Sequence, residues 1–335
     1  MSTRLVDRGH RVTVYCRERY SEPTYRGVSL VYLPTWRHKY FDTVIHTFFS
    51  TVHLIIHRCD VALYCNAANA IFTFWTRLVG IPNALNVDGL ERKRKKWNRL
   101  AQAWYHLSER LATFCPNAIV TDAAKIAEYY QGQYGKASEC IPYGAETGKT
   151  ESAEVLARLA LEPGGYFLYV SRMEPENNAL LVREAFEKVE TPLKLVLVGD
   201  APYAHEYIQR VKDTADPRVL FPGAIYGQGY RELQSHCFAY IHATEVGGTH
   251  PALIEAMGRG AMVLFLNTPE NAEVAAGAGI AFETSDLDQK LKLVLEMPEQ
   301  ERQEWGGRAM GRVSERYSWE AVTDKYETLL LGLHR

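Results

Sequence analysis

The densest concentration of reactive residue types lies at residues 244–257, TEVGGTHPALIEAM. The segment follows an apolar run, passes two glycines and enters a helical pattern with Pro251 in the first turn, where a missing N–H does no harm. Gly247 and Gly248 lack a Cβ, so a ligand can approach the backbone, and the free amides of a helix start favour an anion. Thr249 and His250 add side-chain donors at the same spot. Glu255 lies about one helical turn further on, placed to accept hydrogen bonds from a vicinal diol such as a ribose. Taken alone, the segment also reads as a plain strand–turn–helix corner.

A second segment changes that balance. Residues 170–178, VSRMEPENN, close another apolar run, with Arg172 at its end. A guanidinium there can hold a diphosphate bidentately, although an isolated arginine is more often a surface charge. Arg172, the Gly248 turn and Glu255 together supply a phosphate clamp, backbone donors and a ribose acceptor, which are the parts of one nucleotide site.

These residues need a frame. In the second half, residues 166–170, 194–198, 219–221, 238–242 and 262–266 read as strands, with helical patterns at 179–188, 204–214 and 229–236 and another starting at 251. In the first half, strand-like runs at 11–16, 28–33, 60–65, 83–87 and 118–121 alternate with helical spacing at 40–57, 97–113 and 124–130. Strands alternating with helices predict parallel sheets, and two such sets joined near residue 145 predict two doubly wound domains facing a cleft. Ligands of such sheets bind beyond the carboxyl ends of the strands, where both segments above lie. The opening is unusual: residues 2–8 read as a helix end and Gly9 as its cap, without the strand and Gly-rich turn that normally precede them. A missing first strand is therefore expected.

The order SRMEPENN, LVLVGDAPY, VLFPGAIYG and EVGGTHPALIEAM resembles glycosyltransferase family 4, a retaining GT-B family. The resemblance runs from about Arg8 to the end and includes LNVDGLERKRKKW and IPYGAE, phrases most similar to the bacterial rhamnosyltransferase branch that builds capsule and O-antigen polysaccharides. It implies an α/β GT-B fold of two Rossmann-like domains: an acceptor domain at 1–145, a donor domain at 146–316 and a C-terminal helix at 317–335 crossing back to the first. It implies a cytoplasmic enzyme, peripheral at the inner membrane face, that moves a sugar from a nucleoside-diphosphate co-substrate to a glycan or lipid-linked acceptor, without cofactor or metal. Asn177, Asn178 and Gly223 join Arg172, Gly247, Gly248, Thr249, His250 and Glu255 as donor-binding residues.

The chain also departs from the family. Two glutamates usually stand with seven residues between them, and aligning the second on Glu255 puts Gly247 at the first, with Glu245 two residues away. A lysine often accompanies the phosphate arginine, where this chain has Asn177 and Asn178. Losing one cation and one anion argues against a standard glucose-type donor and fits deoxythymidine-diphosphate rhamnose, the usual donor of the branch. On the acceptor side the family presents polar strand-end groups, and Asn66 and Asp88 occupy such places as catalytic candidates. Asp88 can orient or deprotonate an acceptor hydroxyl, but Asp before Gly is also a common turn residue. His46 and His53, at helical spacing, read as packing or surface residues.

The basic run Arg92-Lys93-Arg94-Lys95-Lys96-Trp97 reads either as a solvated face or as a holder for a lipid diphosphate at an anionic membrane. Net charge is -2, so nucleic acid is not expected as a partner. None of the six cysteines forms a CxxC pair, and Cys16 and Cys65 in apolar runs read as reduced core thiols. No run of about 18 apolar residues exists to span a bilayer. Two rivals stay open: a non-hydrolysing nucleotide-sugar epimerase, and a non-catalytic or truncated nucleotide-sugar-binding protein. A dinucleotide oxidoreductase is disfavoured, because no GxGxxG follows an opening strand.

Overall fold

The computed structural model describes residues 1–334 apart from 37, 39–40, 95–96 and 202–203, and the Lys93 side chain also lies outside the described set. The chain divides into two compact units, Met1–Pro142 with Trp319–Arg335, and Tyr143–Ser318.

The first unit opens with α1 (Ser2–Asp7), β1 (Thr13–Cys16), β2 (Thr24–Tyr25) and β3 (Val28–Tyr32). It continues through α2 (Asp42–His57), β4 (Ala62–Cys65), α3 (Ala70–Leu78) and β5 (Asn83–Asn86). Next come α4 (Arg99–Ala112), β6 (Ala118–Thr121), α5 (Ala124–Tyr134) and β7 (Glu139–Cys140). The Asn98 side chain caps α4 by accepting from the Ala101 amide, and Gly135 ends α5 in the left-handed conformation. The strands form two separate sheets, β1-β3-β2 and the parallel β4-β5-β6-β7. The apolar run at 11–16 is therefore not the buried strand that its composition predicts. Among the described residues β1 has one neighbouring strand, β3, and its own residues stay half-buried or exposed.

The second unit runs α6 (Glu154–Arg158), β8 (Tyr166–Val170), α7 (Ala179–Glu187), β9 (Lys194–Val198) and α8 (His205–Lys212). Then follow β10 (Val219–Gly223), α9 (Gly227–His236), β11 (Ala239–His242), α10 (Pro251–Gly258) and β12 (Val263–Leu266). It ends with α11 (Pro269–Ala275), β13 (Ile280–Phe282), α12 (Leu287–Glu296) and α13 (Glu299–Arg316). One parallel sheet holds all six strands in the order β10-β9-β8-β11-β12-β13. The central strands are apolar on both faces because helices cover both. Phe167 and Tyr169 of β8 pack with Phe186 and Leu197 on one side, while Tyr166 and Leu168 pack with Leu253 and Met257 on the other.

The last helix, α14 (Trp319–His334), belongs to the first unit. It lays Val322 and Tyr326 on Ala84, Val120 and Ile141, and Arg8 of the α1 C-cap forms ion pairs with its Glu320, Asp324 and Glu327. All six cysteines are free; Cys65 is exposed and Cys16 only half-buried, so neither is a core thiol, whereas Cys115 is buried.

Candidate functional site

In the second unit the chain leaves β8 in one direction along the sheet and β11 in the other. That reversal makes the carboxyl ends of β8 and β11 the topological switch point, where a crevice opens for a ligand. Residues 171–178 follow β8 and residues 243–250 follow β11, so the two segments singled out in the sequence meet there. Hydrogen bonds stitch them together. Asn178 Nδ2 donates to the Ala243 carbonyl at 2.9 Å and to Glu245 Oε1 at 3.0 Å, and the Glu245 amide donates to the Glu176 carbonyl at 2.9 Å.

Asn177 and Asn178 therefore shape the loop. Asn177 Nδ2 donates to the Arg172 carbonyl at 2.6 Å, while the Asn177 carbonyl accepts from the buried Tyr169 hydroxyl at 2.6 Å. Asn178 adopts φ +60, a left-handed conformation that asparagine tolerates better than most residues. With its backbone held this way, Arg172 keeps its side chain 58% exposed, its guanidinium 3.9 Å from Glu174. Glu176 is fully buried, and neither of its carboxylate oxygens has a hydrogen-bond donor among the described residues.

The turn into α10 is packed closely. A Cβ on Gly247 would lie 2.3 Å from His250 Cε1, so the imidazole occupies the space that any other residue would fill. Gly248 and Thr249 are buried, His250 is the N-cap and Pro251 sits in the first turn. The His250 carbonyl accepts from both the Leu253 and the Ile254 amides, at 3.0 and 3.2 Å, so the backbone donors before Leu253 stand outside the helix ladder. Asn271 holds the approach to this turn, donating through Nδ2 to the Thr244 and Leu266 carbonyls at 3.0 Å each.

Glu255 lies behind the turn. Burial pushes its carboxyl above the ordinary range, and the Tyr230 hydroxyl, Arg259 and Arg231 counter that push. Tyr230 donates to Glu255 Oε2 at 2.8 Å and accepts from Gln234 Nε2 at 2.8 Å. Burial first and Glu255 second hold the Tyr230 phenol protonated. His242, the last residue of β11, is buried with its ring 4.8 Å from that of His250; burial, then the neighbouring imidazole, depress its pKa far below the usual value and keep it neutral. Gly223 ends β10 at φ +79 after a register shift against β9. It borders a cavity of about 100 Å³ with Met173, Gly199 and Asp200.

Tyr230, Gln234, His242 and Glu176 were not singled out as site residues in the sequence. His242 carried a signal, since it ends an apolar strand on the side where ligands bind. Tyr230 and Gln234 are ordinary helix residues four apart, and only the tertiary contact reveals them.

In the first unit, Asn66 and Asp88 follow the neighbouring strands β4 and β5 and bracket Asn86. The Asn66 amide donates to the Asn86 carbonyl at 2.8 Å, and the Asp88 amide donates to Asn86 Oδ1 at 2.9 Å. Both have positive φ, +75 and +58, and Asn66 Oδ1 also accepts from the Ala68 amide at 2.9 Å. Asn86 Nδ2 in turn donates to the Tyr326 hydroxyl at 2.8 Å.

Both arginines of the basic run are paired with acids. Arg92 pairs with the buried Glu109 at 3.0 Å and donates to the Tyr129 hydroxyl, and buried Arg94 pairs with Glu91 at 2.6 Å. Trp97 packs against Tyr105. Buried acids draw these guanidiniums inward; the Lys93 side chain, Lys95 and Lys96 lie outside the described residues. Among the described residues no group of three or more His, Cys, Asp or Glu could hold a metal ion, and no helix is long and apolar enough to cross a membrane.

Comparison with known proteins agrees with this architecture. Residues 164–297 match the family described as glycosyl transferases group 1, and residues 45–146 match one described as a domain of unknown function. A lipopolysaccharide 1,2-N-acetylglucosaminetransferase of Salmonella typhimurium is 23% identical, with 80% of this chain and 83% of that protein covered. An Anabaena protein solved with UDP and glucose is similar at a TM-score of 0.78 and 14% identity, covering 92% of this chain and 87% of the other. A sucrose-phosphate synthase from Thermosynechococcus elongatus gives 0.80 and 17%, covering 99% and 91%. The chain is a glycosyltransferase of the GT-B fold, and its group 1 match falls on the unit that carries the switch-point site.

Proposed function

We propose that the chain moves a sugar, rhamnose on the family 4 reading, from a nucleoside-diphosphate donor to a glycan or lipid-linked acceptor in cell-surface polysaccharide synthesis, at the cytoplasmic face of a membrane. The observation that carries the donor site is the convergence of the Arg172–Asn178 loop, the Gly247–His250 turn and Glu255 at one switch point. In this reading Glu255 accepts from the ribose diol, which the buried Tyr230 and Gln234 hold it ready to do. Arg172 and the backbone donors at the start of α10 take up the charge that grows on the departing diphosphate, the largest electrostatic demand of the reaction. Gly223 and Asp200 border the space beside the nucleotide.

The bond from the anomeric carbon to the diphosphate oxygen breaks, and a new one forms to the acceptor oxygen on the same face, so configuration is retained. The departing diphosphate, or Asp88 on the acceptor side, receives the acceptor proton. Positioning and charge stabilisation carry this chemistry without a metal. The Salmonella relative's name supports a glycan acceptor, and the Anabaena complex supports a nucleoside diphosphate.

Calorimetry with UDP, deoxythymidine diphosphate, GDP and their sugars tests the reading, with Arg172→Ala and Glu255→Ala beside the native chain. One nucleotide should saturate the native chain and be lost from both variants while their melting temperatures stay close. No binding across the panel would sink the donor site. A free nucleotide sugar altered at one carbon, with no acceptor consumed, would favour the epimerase. Added chelator and the anomeric configuration of the product test metal independence and retention.

A further inference from the structure

Three helices of the first unit bury polar residues while exposing large apolar ones, and in α2 every fully buried residue is polar. In α2 the residues facing inward are His46, Thr47, Ser50 and Thr51, while Phe48, Phe49, Val52 and Ile56 face solvent. In α3, Thr73 and Thr76 are buried beside Ala70 and Phe72, while Phe74, Trp75 and Leu78 are exposed. In α4, Ser108 and Glu109 are buried beside Tyr105 and Ala112, while Leu100, Trp104 and Leu107 are exposed. Exposure reaches 69% at Ile56, 54% at Trp75 and 81% at Leu100, so these are not grazing contacts.

Several of the inward polar groups find partners, although Ser108 Oγ and His46 Nε2 have none among the described residues. Thr51 bonds Tyr64, Thr76 and the Thr73 carbonyl accept from Asn83, and Glu109 takes Arg92 and Tyr129. The exposed side chains form a continuous surface. Helix α3 packs against both α2 and α4, and the strand order β4-β5-β6 places α3 and α4 on one face by right-handed crossover. The next helix, α5, is ordinary, exposing Lys125, Glu128 and Gln131. The second unit, of similar size, exposes only Tyr226 and Leu293 among its described large apolar residues.

The exposed charges on α3, α4 and the α2 C-cap are arginines, with the exposed Asp60 two residues beyond that cap. Arg58, Arg77, Arg99 and Arg110 are exposed. Arg58 and Arg77 hydrogen-bond to the Val79 and Phe114 carbonyls rather than to carboxylates, so their charge is not cancelled. The two acids on these helices are spent elsewhere, Asp42 on Arg17 and Glu109 on Arg92.

We infer that the α2–α3–α4 face docks on an anionic lipid bilayer, with its aliphatic and aromatic side chains in the headgroup and acyl boundary and its arginines against lipid phosphates. Tryptophan and a basic rim suit that boundary. A second copy fits less well, because a two-fold pairing of this patch would set arginines against arginines. The inference rests on the membrane placement proposed above and names its surface, and it uses no part of the nucleotide site, so vesicle binding and nucleotide binding can fail separately.

Sedimentation of the full chain with phosphatidylglycerol–phosphatidylcholine vesicles tests it. The native chain should bind these and bind phosphatidylcholine alone far less. Brominated acyl chains should quench its tryptophan emission, and that quenching should fall in a Trp75→Ser/Trp104→Ser variant. Each of Ile56→Ser, Trp75→Ser, Leu100→Ser and Trp104→Ser should lower partitioning about tenfold, and Arg77→Glu and Arg110→Glu about fivefold or more each. All sites are exposed, so unchanged melting temperatures would show that the variants fold. No vesicle binding by the native chain would overturn the inference. So would binding unaffected by these substitutions, or a native dimer in sedimentation equilibrium that the serine variants dissociate.

Discussion

Replacing Glu255 by glutamine is the sharpest test of the donor site, because it keeps the shape and removes only the charge. The carboxylate accepts from Tyr230 through Oε2 at 2.8 Å, which leaves Oε1 for the ribose diol in the proposed reading. Glutamine retains one carbonyl acceptor and turns an N–H₂ donor toward groups that also donate. A hydrogen bond to a charged acceptor is worth about 1.5–3 kcal/mol, so nucleotide affinity should fall roughly 10- to 150-fold at pH 8. The pH dependence sharpens the test. Burial raises the Glu255 carboxyl above its ordinary 4.5, so the native chain should lose affinity as pH falls through that raised value. The stability effect has the opposite sign. A raised carboxyl destabilises the fold when ionised, so its contribution worsens as pH rises from the unfolded value through the folded one. Glutamine removes both slopes. Titration of the ligand's own phosphate is common to both proteins, so the affinity ratio from calorimetry at pH 5 to 8 isolates Glu255. The ratio should shrink toward the acid end. Equal affinities at pH 8, or a ratio that does not change with pH, would refute the assignment.

Arg172→Ala should weaken a nucleoside diphosphate about 10- to 100-fold while leaving the unphosphorylated nucleoside and the melting temperature almost unchanged, since the side chain is largely exposed. Gly247→Ala puts a Cβ 2.3 Å from the His250 ring and should displace it; calorimetry should show weaker nucleotide binding, and His250→Ala should add little on top. Asn271→Ala strips donors from the buried Thr244 and Leu266 carbonyls, and thermal unfolding should show a loss of about 1–3 kcal/mol.

The second unit was the more legible in the sequence. Residues 166–170 and 194–198 are unbroken apolar runs because both sheet faces are covered, and the structure places β8 and β9 on those same residues. Arg172 and Glu255 stand out in the sequence because a charged residue at a strand end or in an apolar helix needs a reason to be there. What stayed hidden was pairing. Asn177 and Asn178 were assigned to the ligand, yet their amides hold the loop backbone and the neighbouring turn. Arg92 reads as part of a basic patch because its buried partner Glu109 lies 17 residues further on and gives no local sign that it draws a guanidinium inward, whereas Arg94 pairs with Glu91 within the same turn.

Periodicity reports that a helix has two faces without saying which one points inward. For α2 the usual assumption, apolar side in, would bury Phe48, Val52 and Ile56 and expose Ser50 and Thr51. The structure does the reverse, and the reason lies in what the helix covers. Tyr64 and Tyr15 carry hydroxyls toward it, and Thr51 and His53 meet them at 3.0 and 3.2 Å. His46 is buried with burial depressing its pKa, so the inner face holds it neutral. A polar inner layer needs a partner for each hydroxyl, which is a demanding arrangement to keep. Leaving phenylalanine, tryptophan and leucine in water opposite it adds a second cost. Both costs fall on the same three helices while α5 and the second unit avoid them, which is the pattern expected when a surface is shaped for something that arrives from outside.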